Sequence, residues 1–483
     1  MGDNHDDAAW ETVIGLEVHC ELATETKLFC GCPNVFGDEP NTNVCPTCLG
    51  LPGSLPVVNE KAVELAARVG LALGCEVRPS VFARKNYFYP DMPKDYQVSQ
   101  YDLPINVEGR LALPGGGSVR IERAHLEEDT GKSTHVGGGG RIHDATHSLV
   151  DYNRSGVPLL EIVSGPDLRS AEDAKAYVAE LRAVLLAVGA SDAKMEEGSM
   201  RVDANVSVHA PGTPLGTRTE SKNINSLRSL GRAIEYETRR QIDLLTAGER
   251  IVQETRHWDE EGGRTRPGRL KEEAEDYRYF PEPDLVPLVP TDEWIEGVRG
   301  SLPVLPAERR RTLAEAAGVD EGAPAVALLV ARDQDTLAVG AIAAGGDAAR
   351  VLTHVEHDVP AEAAATFDPQ ALAALVGLEG EGALTATQAK AVLADLVAGG
   401  GQGDPAAIAA ARGYEAMGDD ALATAVDALI AANPDEWARF CGDDEKARKK
   451  MQGFFTGQVM KATGGQADGG AVARLLAQRA AAT

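Results

Sequence analysis

The chain has 483 residues, 43% of them hydrophobic, and a formal net charge of −27. Its length exceeds one ordinary core and predicts two to four domains, while no apolar run approaches the roughly 20 residues that a helix needs to cross a bilayer, so no membrane partner is expected. So large an acidic excess also argues against a partner gripped by long-range attraction to phosphates.

The N-terminal MGDNHDDAAW is acidic and lacks the basic and apolar regions of a secretory signal, which points to a cytoplasmic protein. Acids are spread along the whole chain, Ala and Gly are abundant, and Lys is scarcer than Arg. This reads as salt adaptation and predicts a halophilic source, an archaeon. At molar salt, charge is screened within about 3 Å, so RNA would be held by close, shaped contacts. From Trp10 onward, short β-type runs (TVIGLEVHCEL, SVRIERAHLEE, SLVDYNRSG, PLLEIVS, GSMRVDANVSVH) alternate with helical patterns at 60–74, 171–188 and 226–247. The fold class expected is therefore α+β over residues 1–290, followed by an all-helical domain over 291–400 and a small helical tail over 401–483. The Gly-rich stretch AGGGQGDP marks the second boundary.

Within TVIGLEVHCEL, Glu17 and His19 are two residues apart, so on a strand both point to one face. A solvent-facing strand would show the same alternation. The pattern gains weight from repetition: Glu127, Glu128 and Asp129 follow RIERAHL, Glu161 interrupts PLLEIVS, and Arg201, Asp203, Asn205 and Ser207 alternate. An acid inside a buried run is costly unless it is paired or bound to a cation, and several such acids fit a magnesium-nucleotide site.

Cys30-x-Cys32 and Cys45-x-x-Cys48 place two close thiol pairs within nineteen residues, the spacing of a structural tetrahedral zinc site; the alternative is reduced, unligated thiols in a loop. Seven cysteines with no export signal argue against a disulfide framework. RKNYFYPDMPKDYQVSQYD clusters Tyr87, Phe88, Tyr89, Tyr96 and Tyr101 beside Arg84, Lys85 and Lys94, which suits either base stacking or a cap on the core. Gly131-Lys132-Ser133 is not a P-loop, because Leu126 stands where the first glycine is required and no helix follows. His125, His135, His143 and His147 invite a second zinc reading, but their scattered spacing suits ordinary loop histidines better. In the tail, Lys446, Arg448, Lys449 and Lys450 stand out from an acidic background as a tRNA contact, or as a solvated helix face.

Taken together, VIGLEVHCEL, RKNYFYPDMPKDYQVSQYDLPI, HLEEDTGKSTH, SLVDYNRSGVPLLEIVSGPD, KMEEGSMRVDANVSV, ESKNINSLRSL, YRYFPEPDLVPL and GQVMKATGGQA closely resemble the B subunits of aspartyl/glutamyl-tRNA(Asn/Gln) amidotransferases. The resemblance implies a cradle-shaped α+β catalytic domain, a helical domain and a tRNA-contacting tail. It implies a cytosolic ligase that uses ATP and Mg2+ to phosphorylate the side-chain carboxylate of Asp-tRNA(Asn) or Glu-tRNA(Gln), then amidates it with ammonia from a glutaminase, the A subunit. The C subunit completes the expected heterotrimer, and no room exists for the inserted domain of the related two-subunit enzyme of archaea. By resemblance, Glu17, His19, Glu128 and Glu161 are magnesium and nucleotide ligands, Lys85 and Lys222 phosphate partners, and Asp203 and Asn205 support those ligands or orient ammonia. Zn2+ on Cys30, Cys32, Cys45 and Cys48 rests on spacing and on the relatives that carry it. The segment at 136–147 is longer and more Gly-rich than the resemblance leads one to expect. A competing reading is a zinc-containing tRNA-binding module with no chemistry of its own.

Overall fold

In a computed structural model, the described residues are 10–137, 145–268, 278–414, 419–442, 445–463, 467 and 469–481. They form two compact units, Met1–Pro306 and Ala307–Thr483.

The first unit contains β1 (Glu11–Glu21), α1 (Glu60–Ala72), β2 (Glu76–Val77), β3 (Ala83–Asn86), β4 (Tyr96–Ser99), β5 (Asn106–Ala112) and β6 (Ser118–Glu128). It continues with β7 (Lys132–Val136), β8 (His147–Asp151), β9 (Pro158–Ser164), α2 (Ala171–Ala187), β10 (Met200–His209), β11 (Thr219–Ile224) and α3 (Leu227–Thr246). β12 (Thr255–Asp259), β13 (Arg264–Pro267), β14 (Phe280–Pro281) and α4 (Asp292–Gly300) complete it. Twelve strands make one sheet, ordered β13-β12-β11-β10-β1-β9-β6-β4-β3-β14 with β5 and β2 branching from β6, while β7 and β8 pair separately.

The two faces of this sheet differ because its central strands alternate. In β1, Ile14, Leu16, Val18 and Cys20 are buried, whereas Gly15, Glu17, His19 and Glu21 occupy the other face. The apolar face packs against Leu65 and Val69 of α1, Tyr177 and Leu181 of α2, and Leu230 and Ile234 of α3, each large aliphatic side chain contributing about 1.5–3 kcal/mol. Side-chain caps start these helices: Asn59 accepts from the amides of Lys61 and Ala62, Ser170 from that of Asp173, and Ser226 from that of Ser229. The helices cover the apolar face, and polar residues are left to the other.

The second unit is helical and has two separate apolar clusters, one running from Leu313 to Ala409 and one from Leu422 to Leu476. The structure therefore differs from the sequence boundaries in two places. α4 belongs to the first unit, because its Val298 packs on Ala67 and Leu71 of α1, so that unit runs past residue 290. The helix Pro405–Ala411 packs through Ala409 into the first helical cluster, past residue 400. Composition marks where helices begin but not which neighbour buries their apolar stripe.

A candidate active site on the polar face of the sheet

Strand register carries the polar residues into one patch. His19 of β1 lies opposite Glu161 of β9 on one side and Arg201 of β10 on the other; Glu17 lies opposite Asp203. Across the next pairing, His125 of β6 faces Glu161, and Asn205 of β10 faces Glu220 of β11. His19 Nε2 is 3.4 Å from Glu161 Oε2 and 3.8 Å from Glu127 Oε1. Asn205 donates to Glu17 at 2.9 Å, and the Lys222 ammonium lies 2.6 Å from Asp203 and 3.4 Å from Glu220. Two sets of potential ligands result, His19/Glu127/Glu161 and Glu17/Asp203/Glu220, each with its ligand atoms within 4.8 Å of one another.

The electrostatics are those of an acid-rich, partly dry surface. Burial would lower the His19 pKa, but its hydrogen bond to Glu161 and the charges of Glu161 and Glu127 raise it to about 9. Burial, then the charge of Glu161, pushes Glu127 up to about 7. Burial followed by Glu161 also raises Glu17. Glu161 itself is held well below the usual carboxylate range: burial opposes this, but His125, His19 and Arg123 outweigh it. Burial drives His125 down to about 4, so around neutrality the cations that keep Glu161 ionised are His19 and Arg123. Lys222 is raised because Asp203 and Glu220 outweigh its desolvation. Five buried or half-buried carboxylates in two adjoining sets would be costly without more positive charge, and hard oxygen donors of this kind suit Mg2+.

Of the residues expected from sequence, the fold brings together Glu17, His19, Glu161, Asp203, Asn205 and Lys222. Lys85, on β3, is near enough for its charge to act on Glu127 and His125. Glu128 is not in the patch. It follows the phase of Ala124 and Leu126, is 2% exposed, pairs with the Lys94 ammonium and accepts the Val98 amide at 2.8 Å. Glu127 stands in its place beside His19. The signal was present in the strand's period of two, since Arg123, His125 and Glu127 share a face that Glu128 cannot. Glu220, His125 and Arg123 were likewise missed as site residues.

The four cysteines converge with their sulfurs within 4.8 Å of one another. The Cys48 sulfur accepts the Cys45 amide at 3.1 Å, and a hydrogen bond from Cys30 lowers the Cys48 thiol to about 5 while pushing Cys30 up. Four soft donors on two tight turns fit a structural Zn2+. Lys132 and Ser133 begin β7 of a hairpin, which is no phosphate-cradling helix. His135 bonds Ser148 across that hairpin; His143 lies outside the described residues. In the aromatic loop, Arg84 lies 4.2 Å above the Tyr96 ring and pairs with Glu282 at 2.6 Å, and Lys94 lies 4.9 Å from the same ring, so these cations are tied into the fold. Tyr101 instead reaches the acid patch, stacked on Tyr279 at 5.2 Å. The tail cations Lys446, Arg448, Lys449 and Lys450 are carried by a helix that buries Met451, Phe455 and Val459, and all four are exposed on it.

Residues 12–296 match the family described as the GatB/GatE catalytic domain, and residues 347–479 match the one described as the GatB domain. A protein of Frankia casuarinae, named as the B subunit of an aspartyl/glutamyl-tRNA(Asn/Gln) amidotransferase, is 51% identical over 98% of this chain and 96% of its own. Proteins of the same name from Nocardia farcinica (51% identical; 97% of this chain, 96% of its own) and a Nocardioides strain (49%; 98% of each) are similarly close. These relatives are bacterial, so the expectation of a halophilic archaeal source is not upheld: acidic composition reports on surface charge and does not fix lineage.

Proposed function

Because the chain belongs to the GatB family of amidotransferase subunits, we propose that its acid-lined sheet face is where the side-chain carboxylate of Asp or Glu esterified to tRNA is activated and amidated. The observation that carries this reading is the meeting of His19, Glu127 and Glu161 beside Glu17, Asp203 and Glu220 on one face.

The chemistry explains why such a face is needed. Ammonia cannot displace hydroxide from a carboxylate, so the γ-phosphoryl of ATP is first transferred to the carboxylate; ammonia then attacks the acyl carbon and phosphate leaves. Phosphoryl transfer asks mainly for positioning and charge neutralisation. Divalent cations, Mg2+ in our reading, would neutralise the phosphate charge when bound. Glu17, Glu127, Glu161, Asp203 and Glu220 supply the oxygens to hold them. His19, protonated near neutrality at its pKa of about 9, shares a proton with Glu161 until it is needed as a neutral donor. Asn205 fixes Glu17 through its amide, and Lys222 braces Asp203 and Glu220. Glu128, paired with Lys94 and the Val98 amide, lies outside this face and is given no part in the chemistry.

Ammonia must come from another chain, the glutaminase or A subunit, and the C subunit would complete the complex; the name borne by the relatives, that of one subunit among several, supports an assembly. Cys30, Cys32, Cys45 and Cys48 would hold a structural zinc, and the cations at 446–450 would meet tRNA phosphates. We assign the protein to the cytoplasm; no helix among the described residues is long and apolar enough to cross a membrane. Mixing the chain with the A and C subunits, ATP, Mg2+, glutamine and each misacylated tRNA tests the reading: one aminoacyl ester or both should become an amide, with one ADP formed per amide. Amide formation without ADP would overturn it, and tRNA binding without any amidation would favour a binding module.

A further inference from the structure

Arg123 sits on β6 two residues from His125 and four from Glu127, on the same face as both. Its guanidinium is 4.8 Å from the centroid of the Tyr101 ring, which also stacks on the Tyr279 ring at 16° and meets the His125 ring edge-on at 6.0 Å. An Nη of Arg123 lies 3.8 Å from Glu161 Oε1, close enough for charge attraction but too far for a hydrogen bond. The side chain is 24% exposed, and its Nε–H is buried with no acceptor. Two other arginines of this unit are tied down: Arg84 holds Glu282 with two nitrogens, and Arg120 holds Asp167 likewise. Arg123 has five donors and an aromatic ring beneath its guanidinium, and its side chain stands at the edge of the acid patch with no hydrogen bond among the described residues.

We propose that Arg123 is a substrate-binding residue that grips the reacting side-chain carboxylate of the aminoacyl ester, with the Tyr101/Tyr279 pair as the wall behind it. A planar guanidinium matches a carboxylate with two parallel N–H···O bonds, and stacking on a ring sets its plane in advance. The position has a consequence for charge. Glu161 attracts the guanidinium without saturating it, so an entering carboxylate meets a cation whose hydrogen-bonding capacity is unspent, beside acids that would otherwise repel it. Lys222, at the other end of the patch, is already engaged by Asp203 and Glu220 and offers less. Only a carboxylate, and not ATP, is assigned to Arg123.

This inference rests on the proposed activity, and its test separates the two. In the complex reconstituted with the A and C subunits, Arg123→Gln and Arg123→Lys are compared with the unaltered chain for thermal midpoint, ATP affinity, affinity for deacylated tRNA, and kcat and KM of amidation. Arg123→Gln should lower kcat/KM for the misacylated tRNA at least hundredfold while ATP and deacylated tRNA bind within threefold of normal. Arg123→Lys keeps the charge without the fork and should recover no more than a tenth of the loss. If Arg123→Gln does not fold, the lysine variant alone decides: activity within threefold of normal overturns the assignment. Loss of ATP affinity in proportion to loss of amidation also overturns it, because the contact would then be to phosphate. Failure of the unaltered complex to couple ADP formation to amide formation would instead strike the proposed activity.

Discussion

Buried polar groups in the helical unit and on the sheet face obey different rules. In the helical unit most of them are matched to partners, Gln334 Oε1 being buried without one. His354 lies 3.0 Å from both Asp358 and Glu379, which are also met by Lys390 and Arg350 at 2.6 and 2.8 Å. Gln334 donates to the carbonyls of Val355 and Val359, and Thr385 and Gln388 close a reciprocal cap. On the sheet face the acids outnumber what is offered to them: His125 has neither ring nitrogen bonded, and Arg123 Nε and Asn205 Oδ1 have no partner. Matched polar groups secure a fold, whereas a surplus of one charge held rigid in a dry place is prepared for something that arrives.

Substitutions can break that contrast. The largest effect is expected from Glu161→Gln, which should reduce ATP-dependent amidation at least about a thousandfold, equivalent to about 4 kcal/mol of transition-state stabilisation, in a variant that still folds cooperatively. Single-turnover ADP and amide formation read this directly, and full activity would mean that the patch is not the reaction centre. Next comes the matched region. Leu393, fully buried in the first helical cluster, should cost about 2–5 kcal/mol of unfolding free energy when changed to Ala, yet leave divalent-cation affinity within twofold. Denaturant titration beside calorimetry of Mn2+ binding separates the two quantities.

A smaller effect sharpens the role of His19. As a cation ligand it must lose the proton that Glu161 helps it hold, so affinity for Mg2+ or Mn2+ should fall as pH drops below about 9, by up to tenfold per unit. The stability contribution has the opposite sign. In the cation-free chain the raised pKa stabilises the fold fully below about 6.5 and this contribution is lost as pH rises through about 9. Affinity that is flat between pH 6.5 and 9 would remove His19 from the ligand set. Least of all, Asn205→Ala should weaken cation binding by roughly threefold to tenfold by freeing Glu17, in the range of the net worth of one ordinary hydrogen bond.

The sequence made some of this visible and hid the rest for definable reasons. Helices at 60–74, 171–188 and 226–247 were legible because caps and apolar spacing coincide there; they form as Glu60–Ala72, Ala171–Ala187 and Leu227–Thr246. Glu17, His19 and Glu161 were legible because an acid or imidazole interrupts an apolar strand. Glu128 is implied by resemblance alone, whereas the strand's period of two puts Glu127, and not Glu128, on the face of His125. Glu220 became a neighbour of Glu17 only through the pairing of β11 with β10, where the register shifts between Val202 and Ala204, a feature no local pattern announces. Arg123 carries no local signal in RIERAHL; its approach to Tyr101 brings together residues from separate parts of the chain.

Anomalous diffraction from crystals soaked in Mn2+ reads the central claim most directly. Peaks about 2.2 Å from carboxylate oxygens of Glu161 and Glu127 or of Glu17 and Asp203, absent in Glu161→Gln at the first position, are the expected result. An unoccupied patch at millimolar Mn2+ with ATP present, in a complex that still amidates tRNA, would contradict it.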